Sequence, residues 1–475
     1  MRAPGATNAR SDMKYDIIIV GSGPGGYVAA IRAAQLGRKV ALVERAEAGG
    51  VCLNWGCIPT KALLKSAQVY HYCRTADAFG VTLGGEAKPD MARIVARSRG
   101  VSETMRKGVG FLLEKNKVDV LRGEARLAGE GRVIVADETV SADHIILATG
   151  ARPREMSFMP IDHEHVLSSR DALVLDELPE SMVVVGSGAI GCEFASFYAA
   201  LGVRVTVVEY LPQLMPLEDE EVARTMERAF RKQRIAVMTS TTVKSVTVDG
   251  EGRCRVRIEG KKGEEELTAD KVLSAVGIKS NIEGLGLEEL GVRVERDKIA
   301  VDEHYRTNVE GVYAVGDIVP GPALAHVASA EALHCVEHIC GVESDPVDYS
   351  VIPSCVFTSP EVASVGLTER EALAREIPYT VGRYSFMASG KAAAAGERDG
   401  FVKLLFDADR KLIGAHLVGA SVTEMLAEPT LACRLGATAR QIARTIHAHP
   451  TMNEGVMEAA GALIGAAGEK GGVRS

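Results

Sequence analysis

A single tryptophan and an aromatic content of 5% give this chain little with which to build an aromatic binding platform. Positive charge is also short. The formal net charge is −8, which argues against nucleic acid as the main partner, because phosphate contacts need clustered Lys and Arg. No uncharged apolar run reaches the roughly 18 residues that span a bilayer, so no membrane segment is expected. Residues 1–12 carry Arg2 and Arg10 but no apolar core, so they do not read as a secretory signal. They are short for a transit peptide, and Met13 offers an alternative start. Residues 1–13 are expected to be a disordered leader. These absences point to a bacterial cytoplasm in preference to a mitochondrial matrix. In such a reducing compartment most of the nine cysteines should be thiols, and any disulfide should be catalytic.

What is present is glycine, 49 residues of it, in a chain of 475 that is too long for one ordinary domain. The apolar run Lys14–Val20 reads as a buried parallel strand. It enters Gly21-Ser22-Gly23-Pro24-Gly25-Gly26, then a helical stretch over 27–36, a stop at Gly37, and a second strand ending at Glu44. Gly21, Gly23 and Gly26 allow a tight turn and close approach to a pyrophosphate at a helix N-terminus. Glu44 stands where a carboxylate accepts ribose hydroxyls.

The pattern recurs. Ser181–Val185 leads into Gly186-Ser187-Gly188-Ala189-Ile190-Gly191, a helix to about Leu201, Gly202, and a strand over 203–209 that ends at Glu209. Two such units in one chain imply two dinucleotides. A carboxylate at Glu209 bonds a free 2′-hydroxyl and repels a 2′-phosphate, and no Arg pair follows, so NAD is favoured over NADP. A third element, a strand over 312–315 followed by Gly316-Asp317, suits a flavin ribitol, although Asp317 alone reads equally as a turn residue.

Cys52 and Cys57 follow the first unit in Gly49-Gly50-Val51-Cys52-Leu53-Asn54-Trp55-Gly56-Cys57-Ile58-Pro59-Thr60-Lys61. Five residues of regular helix rise about 7.5 Å, more than bridged Cα atoms usually span. The segment must bend, with Gly56 and Pro59 as candidates, and Pro59 suits the first turn of a helix running on through 61–69. Cys57 then lies near a helix N-terminus, where the dipole favours a thiolate. At the other end, His447-Ala448-His449-Pro450-Thr451-Met452-Asn453-Glu454 supplies candidates for a base.

These motifs resemble those of the flavin- and pyridine-nucleotide-dependent disulfide oxidoreductases, most closely their dihydrolipoyl-oxidising branch, the E3 components of 2-oxo acid dehydrogenase complexes. The most specific stretches are 49–61, 307–318 and 447–454, and the likeness runs from residue 14 to about 460. It implies an α/β fold with two Rossmann-like dinucleotide-binding domains and an α+β C-terminal dimerisation domain. The layout would be FAD binding over 14–151, NAD binding over 152–280, a central domain over 281–350 completing the FAD site, and a dimer interface over 351–475.

The resemblance also assigns roles. Cys57 is the flavin-side thiol and Cys52 the interchange thiol. Lys61 lies beside the flavin with Glu193 as its partner. His449 is the acid/base, oriented by Glu454, and acts on the cysteines of the other subunit. FAD is expected at Gly21, Gly23, Pro24, Gly26, Glu44, Arg45, Cys52, Lys61, Ala125, Thr149, Gly150, Asp317, Ala325 and His326. NAD is expected at Gly186, Gly188, Ala189, Ile190, Gly191, Glu209, Val243 and Gly277. Partners would be a second copy of the chain, and lipoyl domains with their E2 acyltransferase or a glycine-cleavage H protein.

Two alternatives stay open: a glutathione-type reductase, which usually carries basic residues where Glu209 stands, and a non-catalytic flavoprotein subunit. The chain departs from the family pattern at Gly277-Ile278-Lys279-Ser280-Asn281, where Arg and Pro are common, and after His326, where a Lys often stands. No metal is expected. His334 and His338, with Cys340 nearby, have helix-face ligand spacing but no second ligand pair, so a plain helix is the preferred reading.

Overall fold

The computed structural model describes residues 14–464, so the leader expected over 1–13 lies outside the described residues. The chain divides into two compact units. The first takes residues up to Ala62, then Val95–Arg154 and Ile278–Val347. The second takes Leu63–Ile94, Glu155–Gly277 and the chain from Asp348 onward.

The first unit is built on a seven-stranded sheet. Lys14–Val20 lies between Val40–Glu44 and Glu138–Leu147, parallel to both, with Ile17 opposite Val40 and His144. Asp119–Arg122 extends the parallel run on one side, and Val312–Ala314 joins Glu138–Leu147 on the other. Arg132–Val135 and Ala125–Gly129 complete the sheet as an antiparallel hairpin. Ile17, Ile18 and Ile19 are all fully buried. That absence of alternation marks a parallel strand covered on both faces.

Helix Pro24–Gln35 begins three residues before the sequence pattern suggested. Pro24 occupies its first turn, where a missing N–H costs nothing. A two-stranded ribbon pairs Ala151–Pro153 with Ile278–Ser280. The expected domain limits at 151/152 and 280/281 fall in this ribbon, whereas the units divide after Arg154 and after Gly277. Arg152 and Lys279 both reach Glu283 at 2.8 Å, and the Arg152 hydrogen bond leads in holding that carboxyl far below its ordinary range.

The second unit repeats the design. Ser181–Val185 lies between Arg204–Val208 and Lys271–Ser274, with Ala236–Met238 and Val166–Leu167 at the edges, all parallel. A three-stranded antiparallel sheet, Thr242–Val248, Cys254–Gly260 and Gly263–Ala269, is inserted in the chain just before Lys271–Ser274. The C-terminal part is α+β. Its five-stranded antiparallel sheet runs Ser354–Val356, Glu361–Gly366, Leu412–Gly419, Phe401–Phe406, Thr380–Ser385. Phe386, Leu404, Phe406 and Leu417 form part of its core. The architecture is therefore α/β, with two Rossmann-like units and an α+β C-terminal region.

Candidate functional site

The two glycine loops are built alike. Gly21 and Gly186 have φ of +101° and +99°, a region where side chains are strained. A Cβ on Gly26 would lie 1.8 Å from the Gly21 carbonyl oxygen, and one on Gly191 would lie 2.1 Å from that of Gly186. Glycine is thus required for each helix to close on its own loop. By contrast, a Cβ on Gly23 or Gly188 would meet nothing within 4 Å. Each of these glycines is the N-cap of its helix, with no side chain bonded to the first turn. No side chain therefore competes for the first-turn N–H groups, which suits a pyrophosphate. The residues fit a dinucleotide at both loops.

Glu44 ends its strand, nine-tenths buried, and Glu209 follows its strand equally buried. In the first unit Arg45 is exposed and pairs with Glu124 at 3.3 Å. Ala125 opens its hairpin strand. The Thr149 hydroxyl donates to the Asn281 carbonyl at 2.6 Å, and the Asn281 N–H donates to the Gly150 carbonyl at 2.8 Å. Burial raises the Asp317 carboxyl above its ordinary range, against the pull of Lys298. Ala325 and His326 open helix Ala325–Ile339. All positions expected to serve FAD lie in the first unit. In the second, Ala189 and Ile190 begin helix Ala189–Ala200, Val243 is buried in its strand, and Gly277 has φ of +106°.

The thiol segment is two helices, Gly50–Trp55 and Cys57–Thr75, with Gly56 between them. The bend falls at Gly56, whose φ of −150° and ψ of −111° leave the helical region. Pro59 sits in the first turn of the second helix, which runs six residues beyond the expected end. Cys57 is the first residue of that helix and Cys52 is in the one before. The two stand as thiols, with a hydrogen bond between them. That bond, followed by burial and the charge of Cys57, drives the Cys52 thiol far above its ordinary range, while Lys61 pulls it down. The Tyr27 hydroxyl is raised by burial and then by the charges of both thiols, which places it near the pair.

In the second unit, Glu193 is buried on helix Ala189–Ala200, and its carboxylate accepts from the Phe357 N–H at 3.0 Å. His449 Nδ1 lies 2.8 Å from Glu454 Oε1, and the Thr451 N–H donates to the other oxygen at 2.9 Å. The His449 side chain is 78% exposed, so its second nitrogen faces outward while Glu454 holds the ring. The His449 hydrogen bond leads in lowering the Glu454 carboxyl below its ordinary range, which keeps it an acceptor. His447, by contrast, is buried against Glu428 at 2.8 Å.

Sequence reasoning missed Ser22 and Ser187, which contact Glu44 and Glu209. It also missed His304, which stacks on His338 at 3.9 Å and meets His334 Nε2 at 3.1 Å. Among the described residues no group of His, Cys, Asp and Glu is placed to hold a metal, and no helix is long and apolar enough to cross a membrane.

A family profile described as pyridine nucleotide-disulphide oxidoreductase matches residues 15–332, and its dimerisation domain matches 352–460. A protein of Rhizobium etli named dihydrolipoyl dehydrogenase is 46% identical, covering 94% of this chain and 97% of its own. Proteins of the same name from Chlorobaculum parvum and Bacillus subtilis are 47% and 42% identical over 96% of this chain. Among solved structures, LpdA from Mycobacterium tuberculosis aligns with a TM-score of 0.88 at 28% identity, over 95% of this chain and all of that one.

Proposed function

Because this chain belongs to the pyridine nucleotide-disulphide oxidoreductase family, we propose that it oxidises protein-bound dihydrolipoyl groups to lipoyl and reduces NAD⁺ to NADH, as the E3 component of 2-oxo acid dehydrogenase or glycine-cleavage complexes. The observation that carries this reading is the hydrogen-bonded pair Cys52 and Cys57, set on two helices that follow a complete nucleotide loop. The names of the relatives support the substrate. The dimerisation domain supports a homodimer, and a bacterial cytoplasm suits thiol exchange.

In the oxidised protein the pair is a Cys52–Cys57 disulfide. A substrate thiolate attacks the Cys52 sulfur and displaces Cys57 as thiolate. The second substrate thiolate then attacks the substrate sulfur bound to Cys52, closes the lipoyl disulfide and releases the Cys52 thiolate. His449, with its ring held by Glu454, takes the thiol protons. The helix start at Cys57 stabilises the departing thiolate. FAD, when bound, carries the electron pair from the dithiol to NAD⁺. Residues 14–151 and 281–350 would hold it through Gly21, Gly23, Pro24, Gly26, Glu44 and Asp317, with Lys61 beside it. Residues 152–280 would hold NAD through the second loop and Glu209, and 351–475 would form the dimer interface.

The test is turnover of the purified protein with dihydrolipoamide or glutathione, each with NAD or NADP. Rapid NADH formation from dihydrolipoamide is expected. Glutathione disulfide reduction with NADPH at a comparable rate would overturn the reading.

A further inference from the structure

In both nucleotide units the residue between the first two glycines is serine, Ser22 and Ser187. Ser187 is fully buried and donates twice to one oxygen of Glu209, from its N–H at 2.8 Å and its hydroxyl at 2.7 Å. The Leu211 N–H donates to the other carboxylate oxygen at 2.7 Å. The Ser187 hydroxyl is itself held, because the Met215 N–H donates to it at 3.2 Å. With its acceptor side occupied by Met215, its hydrogen is directed at Glu209.

Ser22 repeats each contact. Its N–H and hydroxyl reach Glu44 at 2.9 and 2.5 Å, the Ala46 N–H reaches the other oxygen at 2.8 Å, and the Gly49 N–H reaches the hydroxyl at 3.2 Å.

An ionised carboxylate offers about four acceptor positions. Three of these on Glu209 are filled from within the loop. The remaining one has a fixed direction, and the carboxylate cannot swing. A ribose 2′-hydroxyl arriving there meets an oriented acceptor. A 2′-phosphate meets a negative charge that cannot turn away.

We propose that Ser187 is a positioning residue that locks Glu209 as the reader of the ribose and so sets the preference for NAD over NADP, with Ser22 locking Glu44 for the flavin adenosine in the same way. This rests on the reading that FAD takes the first unit and NAD the second.

The test uses the FAD-loaded protein. NADH and NADPH dissociation constants are measured by calorimetry, and KM and kcat for NAD⁺ are measured beside them. Removing one hydrogen bond to a charged group in Ser187→Ala raises the NADH dissociation constant about tenfold. It raises the NADPH constant less, so the NADPH/NADH ratio falls, and the loss appears in KM and not in kcat. Ser187→Thr keeps the hydroxyl and restores the ratio. Ser22→Ala speeds FAD release without changing the NADH constant. If Ser187→Ala does not fold, Ser187→Gly removes the same hydroxyl in a loop already flanked by glycines.

Parent affinities in the hydroxyl-free variant would overturn the proposal. So would equal loss of both nucleotides in the Ala and Thr variants. Failure of the unmodified protein to bind NADH would sink the underlying assignment instead.

Discussion

The two nucleotide units share a scaffold and part company just after it. In the first, Gly49 donates to Ser22 and the chain then enters the helices that carry Cys52 and Cys57. In the second, Met215 donates to Ser187 from the corresponding place. There the chain runs into a buried ionic cluster. Lys403 reaches Asp219 at 2.7 Å and Glu369 at 2.9 Å, and both Lys403 and Asp219 are 2% exposed. Glu218, beside them, is pushed up to about 7 by burial and then by the Asp219 charge, against a hydrogen bond from Ser364. Burial also pushes Asp219 up, but His416 and Lys403 outweigh it and hold that carboxyl below its ordinary range. One framework thus serves two ends. The loop geometry is shared, and the segment behind the second strand leads in one unit to the thiol pair and in the other to ion pairs with its own C-terminal sheet.

The comparison breaks hardest at the thiols. Cys57→Ser should lower dihydrolipoamide oxidation by at least roughly a thousandfold. NADH affinity, measured by calorimetry, should not change, because the second unit is intact. Parent turnover in that variant would remove the chemical distinction between the units.

Next come the glycines that let each helix close on its loop. Gly26→Ala and Gly191→Ala place a methyl group 1.8 and 2.1 Å from a carbonyl oxygen. The first should yield protein that loses its flavin. The second should stay yellow and bind NADH at least about tenfold more weakly. Absorbance per chain and NADH titration separate the two outcomes, and identical phenotypes would mean the units are not independent.

Glu218 sharpens the contrast through pH. Its folded carboxyl titrates near 7 and an unperturbed one at 4.5, so the folded state holds that proton more tightly. The stabilisation is complete below 4.5 and is lost as pH rises through 7, an interval worth about 3 kcal/mol. Glu218→Gln keeps the neutral form at every pH. It should therefore be more resistant to urea than the parent at pH 8 and no more resistant at pH 4.5.

The smallest effect concerns the second helical residue of each unit. A Cβ on Gly25 would lie 3.3 Å from the Ala328 carbonyl oxygen and 3.4 Å from Val315, whereas Ile190 is 42% exposed. Ile190→Ala should change stability by about 0.5 kcal/mol or less, and Gly25→Ala by more, in thermal unfolding of the holoprotein.

Much of this was legible because it is local. Strand, glycine loop, helix, strand and acid are adjacent in sequence, and burial of Ile17 to Ile19 shows as an unbroken apolar run. Helix rise showed that the thiol segment must bend, but left Gly56 and Pro59 as equal candidates until the backbone of Gly56 was seen to leave the helical region. The serines escaped notice because a serine between glycines looks like turn filler until its hydroxyl is seen on a carboxylate 22 residues away. Lys403 and Asp219 are 184 residues apart with no shared period, and Lys403 interrupts an otherwise apolar strand. His304 joins His334 across 30 residues in the same way. Such pairings are set by sheet topology, which the residue pattern does not encode.

Gly50 carries a consequence for descent. Its φ is +61°, and a Cβ there would lie 2.6 Å from the Gly23 Cα. The thiol helix therefore starts in bare backbone contact with the phosphate loop. Neither segment can acquire bulk at that joint unless the other retreats. The two segments are constrained to change together, and chimeras with relatives should fold best when crossovers fall outside residues 21–57.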